Sequence, residues 1–538
     1  MSIRLFLTFL CLSVVGPKAI AVSPPPDGGY PGGNTAEGQA ALLSLTTGGY
    51  NTAVGYFSLR SNTAGTFNTG FGAGTLLANT ANQNTATGAG ALLSNTTGEN
   101  NTGNGVFALV SNTTGAQNAA IGAGALQSNS TGSNNTAVGF QALLGSTGDG
   151  NTATGSQALS NNTANFNTAT GFAALFANTT GGVNTAMGYQ ALSFNTEGGS
   201  NTAMGNKALF HNTTTSNNTA IGDSALYANS TGYDNTATGV AALIGNTTGI
   251  ENTATGSFAL ASNTDGVGNT AIGNNALLNN TTGIYNTAIG YNALYSNTAI
   301  GSDNVAIGAY AGYNITTADF VICLGNSAGI NHLTGDHNLY LANEGVDGES
   351  HTIRLGSGIN HTRTFIAAVR GVTTGQSNAI PVLIDGAGQL GTASSSRRFK
   401  HDIKPMDTTS ESILALKPVT FHYKSDQTNT PQFGLIAEQV AEINPDLVVR
   451  DENGEIYTVR YDAVNAMLLN EFLKEHRKGE LQDLKAQEQQ NEIDALKAEL
   501  KEQKALIQKV SARLAAASPS RGGLEMNKAA PQVAANDQ

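Results

Sequence analysis

Along residues 34–296 the apolar positions fall in two short pieces per unit, separated by turn-forming residues. Each unit reads Asn-Thr-Ala-x-Gly-x-x-Ala-Leu, followed by a polar stretch such as Asn95-Thr96-Thr97-Gly98. Sixteen copies begin between Asn34 and Asn286; twelve of the fifteen spacings are 17 residues and three are 16. Two compressed copies follow at Asn297 and Asn304. The glycine at the fifth position and the leucine at the ninth occur in all sixteen units, and the alanine before the leucine gives way only at Ser58 and Thr75.

A unit of this size cannot bury its apolar pieces alone, so neighbouring units must stack into one continuous seam. Glycine, asparagine and threonine at this density are poor helix formers. The pattern therefore predicts a mainly β chain, a parallel β-roll or solenoid of 16–17-residue coils. Two short strands per coil are expected, with turns at the invariant glycine and at the Asn-Thr-Thr-Gly stretch. Recurrent alanine and glycine mark close backbone approach. Asparagines stacked in register are expected to form an amide ladder, each satisfying the next.

After Tyr310 the period breaks. The stretches "ADFVICLGNSAG", "HNLYLANEG" and "HTIRLGSG" read as strands, and "IPVLIDGAGQLGT" as a hairpin across Asp385–Gly388. This region, 311–393, is expected to be a β-rich neck. Beyond Ser395 the chain turns into an α+β pattern. "SESILALKPVTFHYK" reads as a short helix then a strand, "PQFGLIAEQVAEINPDLV" as a strand into a helix, and "EIYTVRYDAVNAMLLNEFLKEHRK" as a strand into a long helix that runs to about Ala516. Within that helix Ile493, Leu496, Leu500, Ile507, Val510 and Leu514 keep a 3-4 spacing, with Gln503 at the remaining core position; this is the seam of a coiled coil. The expected division is a leader at 1–21, a linker at 22–33, a repeat rod at 34–310, the neck, a compact module at 394–480, a coiled coil at 481–516 and a disordered tail at 517–538.

Charge sharpens this picture. The net charge of −12 disfavours a nucleic-acid partner, which needs a basic surface. Between Asn34 and Tyr310 the only basic residues are Arg60 and Lys207, against nine acidic ones. The first residues, "MSIRLFLTFLCLSVVGPKAIAV", carry a positive start, an apolar run at Leu5–Val15 and a small-x-small site at Ala19-Ile20-Ala21, as a secretory signal does. An uncleaved anchor is the alternative, although the run is short for a membrane span. The reading is a secreted or cell-surface protein with no stable span once the signal is removed. Cys11 lies in that leader, so Cys323 is left alone and no internal disulfide is expected. His332, His337, His351 and His361 lack tight metal spacing and read as scattered surface residues. No metal or cofactor is expected. The repeats hold no recurrent carboxylate pair of the glycosidase kind.

The "NTAxG…AL" units resemble the head repeats of trimeric autotransporter adhesins, whose heads are trimers of parallel β-rolls. The period here is longer, and "AANDQ" is not an outer-membrane strand signature. From Ser394 the chain resembles a second family, the intramolecular chaperone domain of endosialidase and other phage tailspikes, which are self-cleaving serine peptidases. The segments "SSRRFKHDIKP", "ILALKPVTFHYK", "FGLIAEQVAEINPDLV" and "YDAVNAMLLNEFLKE" carry the resemblance in order. It implies a domain that trimerises, drives folding of the fibre before it and then cuts itself off. Residue by residue, the nucleophile falls on Ser395 and its base on Lys400, and the scissile bond is Ser394–Ser395. A serine hydroxyl needs such a base, and lysine serves when burial or neighbouring positive charge, here Arg397 and Arg398, favours its neutral form. Ser396 stands where the family commonly has Asp, which bears on efficient cleavage.

Together these features predict a secreted, homotrimeric, adhesin-like fibre with a single-turnover autoproteolytic module and no multiple-turnover activity. Its partners are expected to be copies of itself and a cell-surface glycan or host receptor. Two alternatives stand beside it: an ice-binding β-solenoid, against which the threonine rows are read as carrying no repeating Thr-x-Thr pair within a unit, and a secreted tailspike-like glycan depolymerase with an uncleaved trimerisation cap.

Overall fold

The computed structural model describes residues 30–297, 301–357, 359–366, 379–385, 388–451 and 453–517. The expected leader, and the expected tail beyond residue 517, lie outside the described residues. The chain divides into two compact units, with the boundary at Phe365/Ile366.

The first unit is a parallel β-solenoid. Twenty three-residue strands, β1 (Thr35–Glu37) through β20 (Ile353–Leu355), pair in parallel with their sequence neighbours, one per coil. The register places Thr on Thr and Ala on Ala, as at Thr202↔Thr219 and Ala203↔Ala220. Each middle residue points inward and the two flanking residues point outward. The core is thin. From the second coil on, the repeats bury the strand alanine, the later Ala-Leu pair and two asparagines almost completely, with Gly70 and Gly103 in place of the strand alanine, Ser58 and Thr75 in place of the later alanine, and Ser146 in place of one asparagine.

Three features depart from expectation. First, the Ala-Leu piece is a turn rather than a second strand. The recurrent leucine sits in the left-handed region, at φ +51° in Leu209 and +52° in Leu243. A branched apolar side chain there costs about 1–2 kcal/mol. It is offset by burial of the side chain and by a hydrogen bond to the next coil, such as Leu59 N–H to Thr75 O (2.9 Å). Second, the strand ladder does not stop at Tyr310. After β17 (Val305–Ile307), the last strand of the expected rod, β18 (Ile322–Leu324), β19 (Leu339–Leu341) and β20 extend it in register through half of the expected neck. The sequence signal fades there because the outward threonines become Val305, Ile322, Leu339 and Ile353 while the backbone repeat persists. Third, Thr-Ala-Thr strands at Thr85, Thr152, Thr168, Thr236 and Thr253 place both threonines outward, in no more than two adjacent coils.

There are two asparagine ladders. In the first, the Asn opening each repeat accepts from the next repeat's backbone: Asn51 N–H donates to Asn34 Oδ1 (2.8 Å), and the row is unbroken to Val321 N–H on Asn304 Oδ1 (2.9 Å). The second was not anticipated. It uses the Asn of the Asn-Thr-Thr-Gly turn, so that Asn112 Nδ2 donates to Asn95 Oδ1 (2.7 Å) and to Gly115 O (2.9 Å). This second ladder breaks at Ser146, which is fully buried; its hydroxyl and Asn129 Oδ1 are left without partners. The coils starting at Asn68 and Asn151 are equally short and still hold Asn79 and Asn162 in that slot. Ser146→Asn is therefore expected to join the two halves and stabilise the rod by about 1 kcal/mol, read as a higher denaturant midpoint. An unchanged or lower midpoint would show that the short coil cannot accept the amide.

At the C-terminal end of the solenoid the inward column changes from Ala306 to Cys323, Tyr340 and Arg354. Arg354 pairs with Glu349 through Nε (2.8 Å) and Nη2 (2.7 Å). Burial pushes the Glu349 carboxyl up, but the Arg354 hydrogen bonds outweigh it and hold the group below its ordinary value. Tyr340 is fully buried, with its hydroxyl on His332 Nδ1 (3.1 Å).

The second unit is small. The hairpin β21 (Leu383–Ile384) and β22 (Leu390–Gly391) is antiparallel, as expected. A 3-10 helix spans Asp407–Ala415. Next come the hairpin β23 (Val419–Phe421) and β24 (Gln432–Gly434), the helix α1 (Ala437–Ile443), and the hairpin β25 (Val448–Arg450) and β26 (Ile456–Val459). The long helix α2 (Tyr461–Ala516) is the last element among the described residues and ends at the residue the sequence indicates. Ile413, Val440, Leu447, Val448, Val459 and Met467 make its core. No helix among the described residues is long and apolar enough to cross a membrane.

Candidate self-cleavage site

Ser395 opens a short segment that folds back on itself. A 3-10 turn at Arg397–Phe399 is closed by Phe399 N–H to Ser396 O (3.0 Å) and Lys400 N–H to Arg397 O (3.1 Å). The turn returns the chain so that Lys400 Nζ donates to Ser395 Oγ (3.3 Å). The structure thus brings together the two residues singled out in sequence, five positions apart. Ser394, Ser395 and Lys400 are all exposed, so nothing within one chain shields the pair from water. Arg398 lies over the Phe399 ring (4.6 Å). His401 pairs with Asp402 (2.9 Å), both at the surface.

A second serine–lysine contact was missed in the sequence. Ser410, fully buried in the 3-10 helix, donates to Glu471 Oε1 of α2 and accepts from Asn470 Nδ2 (2.7 Å) and Lys474 Nζ (3.4 Å). Lys474 also binds Glu471 (2.7 Å) and Glu411 (3.3 Å). The hydrogen bonds from Lys474 and Ser410 hold the Glu471 carboxyl below its ordinary value, and the bond to Glu471 pushes the Lys474 amine up. A lysine held in its charged form cannot accept a proton from serine. This cluster therefore fastens the 3-10 helix to α2 and is no second nucleophile. The only sequence signal was Glu471 and Lys474 at i, i+3.

His332 is fully buried rather than on the surface, because it fills the last coils and hydrogen-bonds Gly335 O (2.8 Å). His337 and His351 stack at 5.0 Å, and His361 Nδ1 accepts from Ser357 N–H (3.0 Å). No group of three or more His, Cys, Asp or Glu side chains among the described residues could hold a metal ion. Cys323 is buried, and burial pushes its thiol up to about 12, which leaves it unreactive.

A mainly β solenoid followed by a compact α+β module with a Ser–Lys pair at its first residues is the class of protein that the fold defines. Residues 395–449 match the model of the family described as chaperone of endosialidase. The match begins at Ser395 and runs through the third of the four segments singled out in the sequence; the fourth, on α2, lies beyond it. No curated protein and no solved structure matches the chain.

Proposed function

We propose that this chain is the subunit of a secreted homotrimeric fibre whose C-terminal module assembles the trimer and then releases itself. The observation that carries the cleavage step is the Lys400 Nζ–Ser395 Oγ contact at the first residue of the family match. In the proposed step, neutral Lys400 takes the hydroxyl proton as Ser395 Oγ attacks the carbonyl carbon of Ser394. The Ser394–Ser395 peptide bond breaks and an ester forms, while the proton passes to the new α-amine of Ser395. Water then hydrolyses the ester, which leaves a carboxylate on Ser394 and restores the Ser395 hydroxyl.

Trimer formation is supported by what the module leaves uncovered. Leu414, Tyr457 and Phe472 are exposed, and Phe433 is 80% exposed, which is unusual for so small a unit. The α2 seam from Ile493 to Leu514 is exposed along its length, as a helix awaiting coiled-coil partners presents it. Chaperone modules of the matched family are associated with trimerisation. The surface role, with a glycan or receptor as ligand, rests on the leader-like N-terminus and the long, sparsely charged rod. The outward Thr-Ala-Thr pairs favour ice binding only locally, because Met187, Met204 and Ile221 interrupt the same row.

Intact mass and a denaturing gel of the purified protein test the cleavage step. The wild-type chain is expected to split between Ser394 and Ser395, while Ser395→Ala and Lys400→Ala stay whole. A whole wild-type chain would remove the peptidase reading and leave the module as a permanent cap.

A further inference from the structure

The two outward rows of the solenoid strands carry a single charge, Glu37. Over most of their length one row is threonine. In the last four coils both rows turn apolar: Val305 and Ile307, Ile322 and Leu324, Leu339 and Leu341, Ile353 and Leu355. Five of these eight side chains are exposed, Ile353 at 68% and Leu355 at 56%. We propose that this strand face is where copies of this chain pack against one another in the rod. The inference rests on the homotrimer reading and adds the surface used.

Charge and spacing point to a second copy rather than another protein. Elsewhere these coils expose Asp303, Asp336, Glu344 and Asp347; between residues 301 and 357 there is no lysine, and the one arginine, Arg354, is paired with Glu349. Asp319 and Asp336 even stack, as Asp319 N–H donates to Asp336 Oδ1 (2.9 Å). Identical copies meeting on those surfaces would set like charges against each other, at a cost that only the uncharged strand face avoids. Side chains on that face repeat once per coil, at about 4.8 Å. A parallel copy of the same chain offers the same repeat at the same height, so the apolar rows stay in register through all four coils.

The test uses the full chain with Cys11 replaced by serine and one cysteine added, since the native Cys323 is buried and unreactive. Leu341→Cys and Ile307→Cys lie on the proposed face, and Asn326→Cys is exposed on a different one. Each protein is treated with a short bis-maleimide, and its assembly state is measured by sedimentation. The expected result is a trimer in every case, with linked chains on a denaturing gel for Leu341→Cys and Ile307→Cys and none for Asn326→Cys. A trimer in which Asn326→Cys links and the other two do not overturns the assigned face but leaves the homotrimer standing. A monomer throughout overturns both.

Discussion

Gly205→Ala is expected to destabilise the rod by on the order of 4 kcal/mol, although it adds a single methyl group. Gly205 follows strand β11 (Thr202–Met204) and occupies the invariant fifth position of its repeat. Its φ of +140° is open to glycine and strained for any other residue. A Cβ placed there would lie 2.2 Å from Gly222 O and 2.5 Å from Gly222 C. Those atoms are backbone of the next coil and cannot rotate away. Relief requires the coils to separate, which breaks the Gly222 N–H to Met204 O bond (2.7 Å) beside the clash. Gly182→Ala is the matched control: its nearest contact is Asn165 O at 3.4 Å, and the change is expected to stay within about 0.5 kcal/mol. Guanidinium unfolding followed by circular dichroism compares the two. Hydrogen exchange should place the loss in the coils around residues 184–222, because each coil contacts only its neighbours. Equal midpoints for the two variants would show that coil spacing, and not the glycine, sets the fit.

Asn184→Leu is expected to cost on the order of 3 kcal/mol despite placing an apolar side chain in a fully buried slot. Asn184 Oδ1 accepts from Asn201 N–H (2.9 Å), and its Nδ2 donates to Gly198 O (2.8 Å). Leucine supplies neither group. The Asn201 N–H is then buried without an acceptor, and each orphaned group of this kind costs about 1–3 kcal/mol. Gly198 O keeps its bond from Asn195 Nδ2 (2.8 Å), so the backbone donor accounts for most of the loss. Asn274→Leu, at an exposed position of a later coil, is expected to leave the midpoint unchanged. A ladder variant as stable as the wild type would mean that the amide rows follow from the stacking and do not hold it.

Much of the candidate site was legible before the structure. Ser395 and Lys400 were named by the resemblance that "SSRRFKHDIKP" carries, and their five-residue separation is within reach of a single tight turn. Three stretches of the C-terminal module, from Ser410 to Lys478, fell into the predicted elements because their periods are short and local. Ser410 was not legible, since its partners Asn470, Glu471 and Lys474 lie about sixty residues away on another helix. Nor was the buried state of His332, which depends on Tyr340 and Gly335 in the last coils of the solenoid.

By itself the sequence determined that this chain stacks. A spacing of 16 or 17 residues, with glycine, asparagine and alanine in fixed columns, leaves no other way to bury the leucines or satisfy the asparagines. Only the tertiary structure decided what each piece of the coil becomes. The Ala-Leu piece, a short apolar stretch between turn signals, reads as a strand, yet its leucine takes a left-handed turn, because burial and a bond to the next coil outweigh the local preference. For the same reason the rod runs on past Tyr310: register is held by backbone hydrogen bonds between coils, and these do not depend on the outward side chains that made the repeat visible.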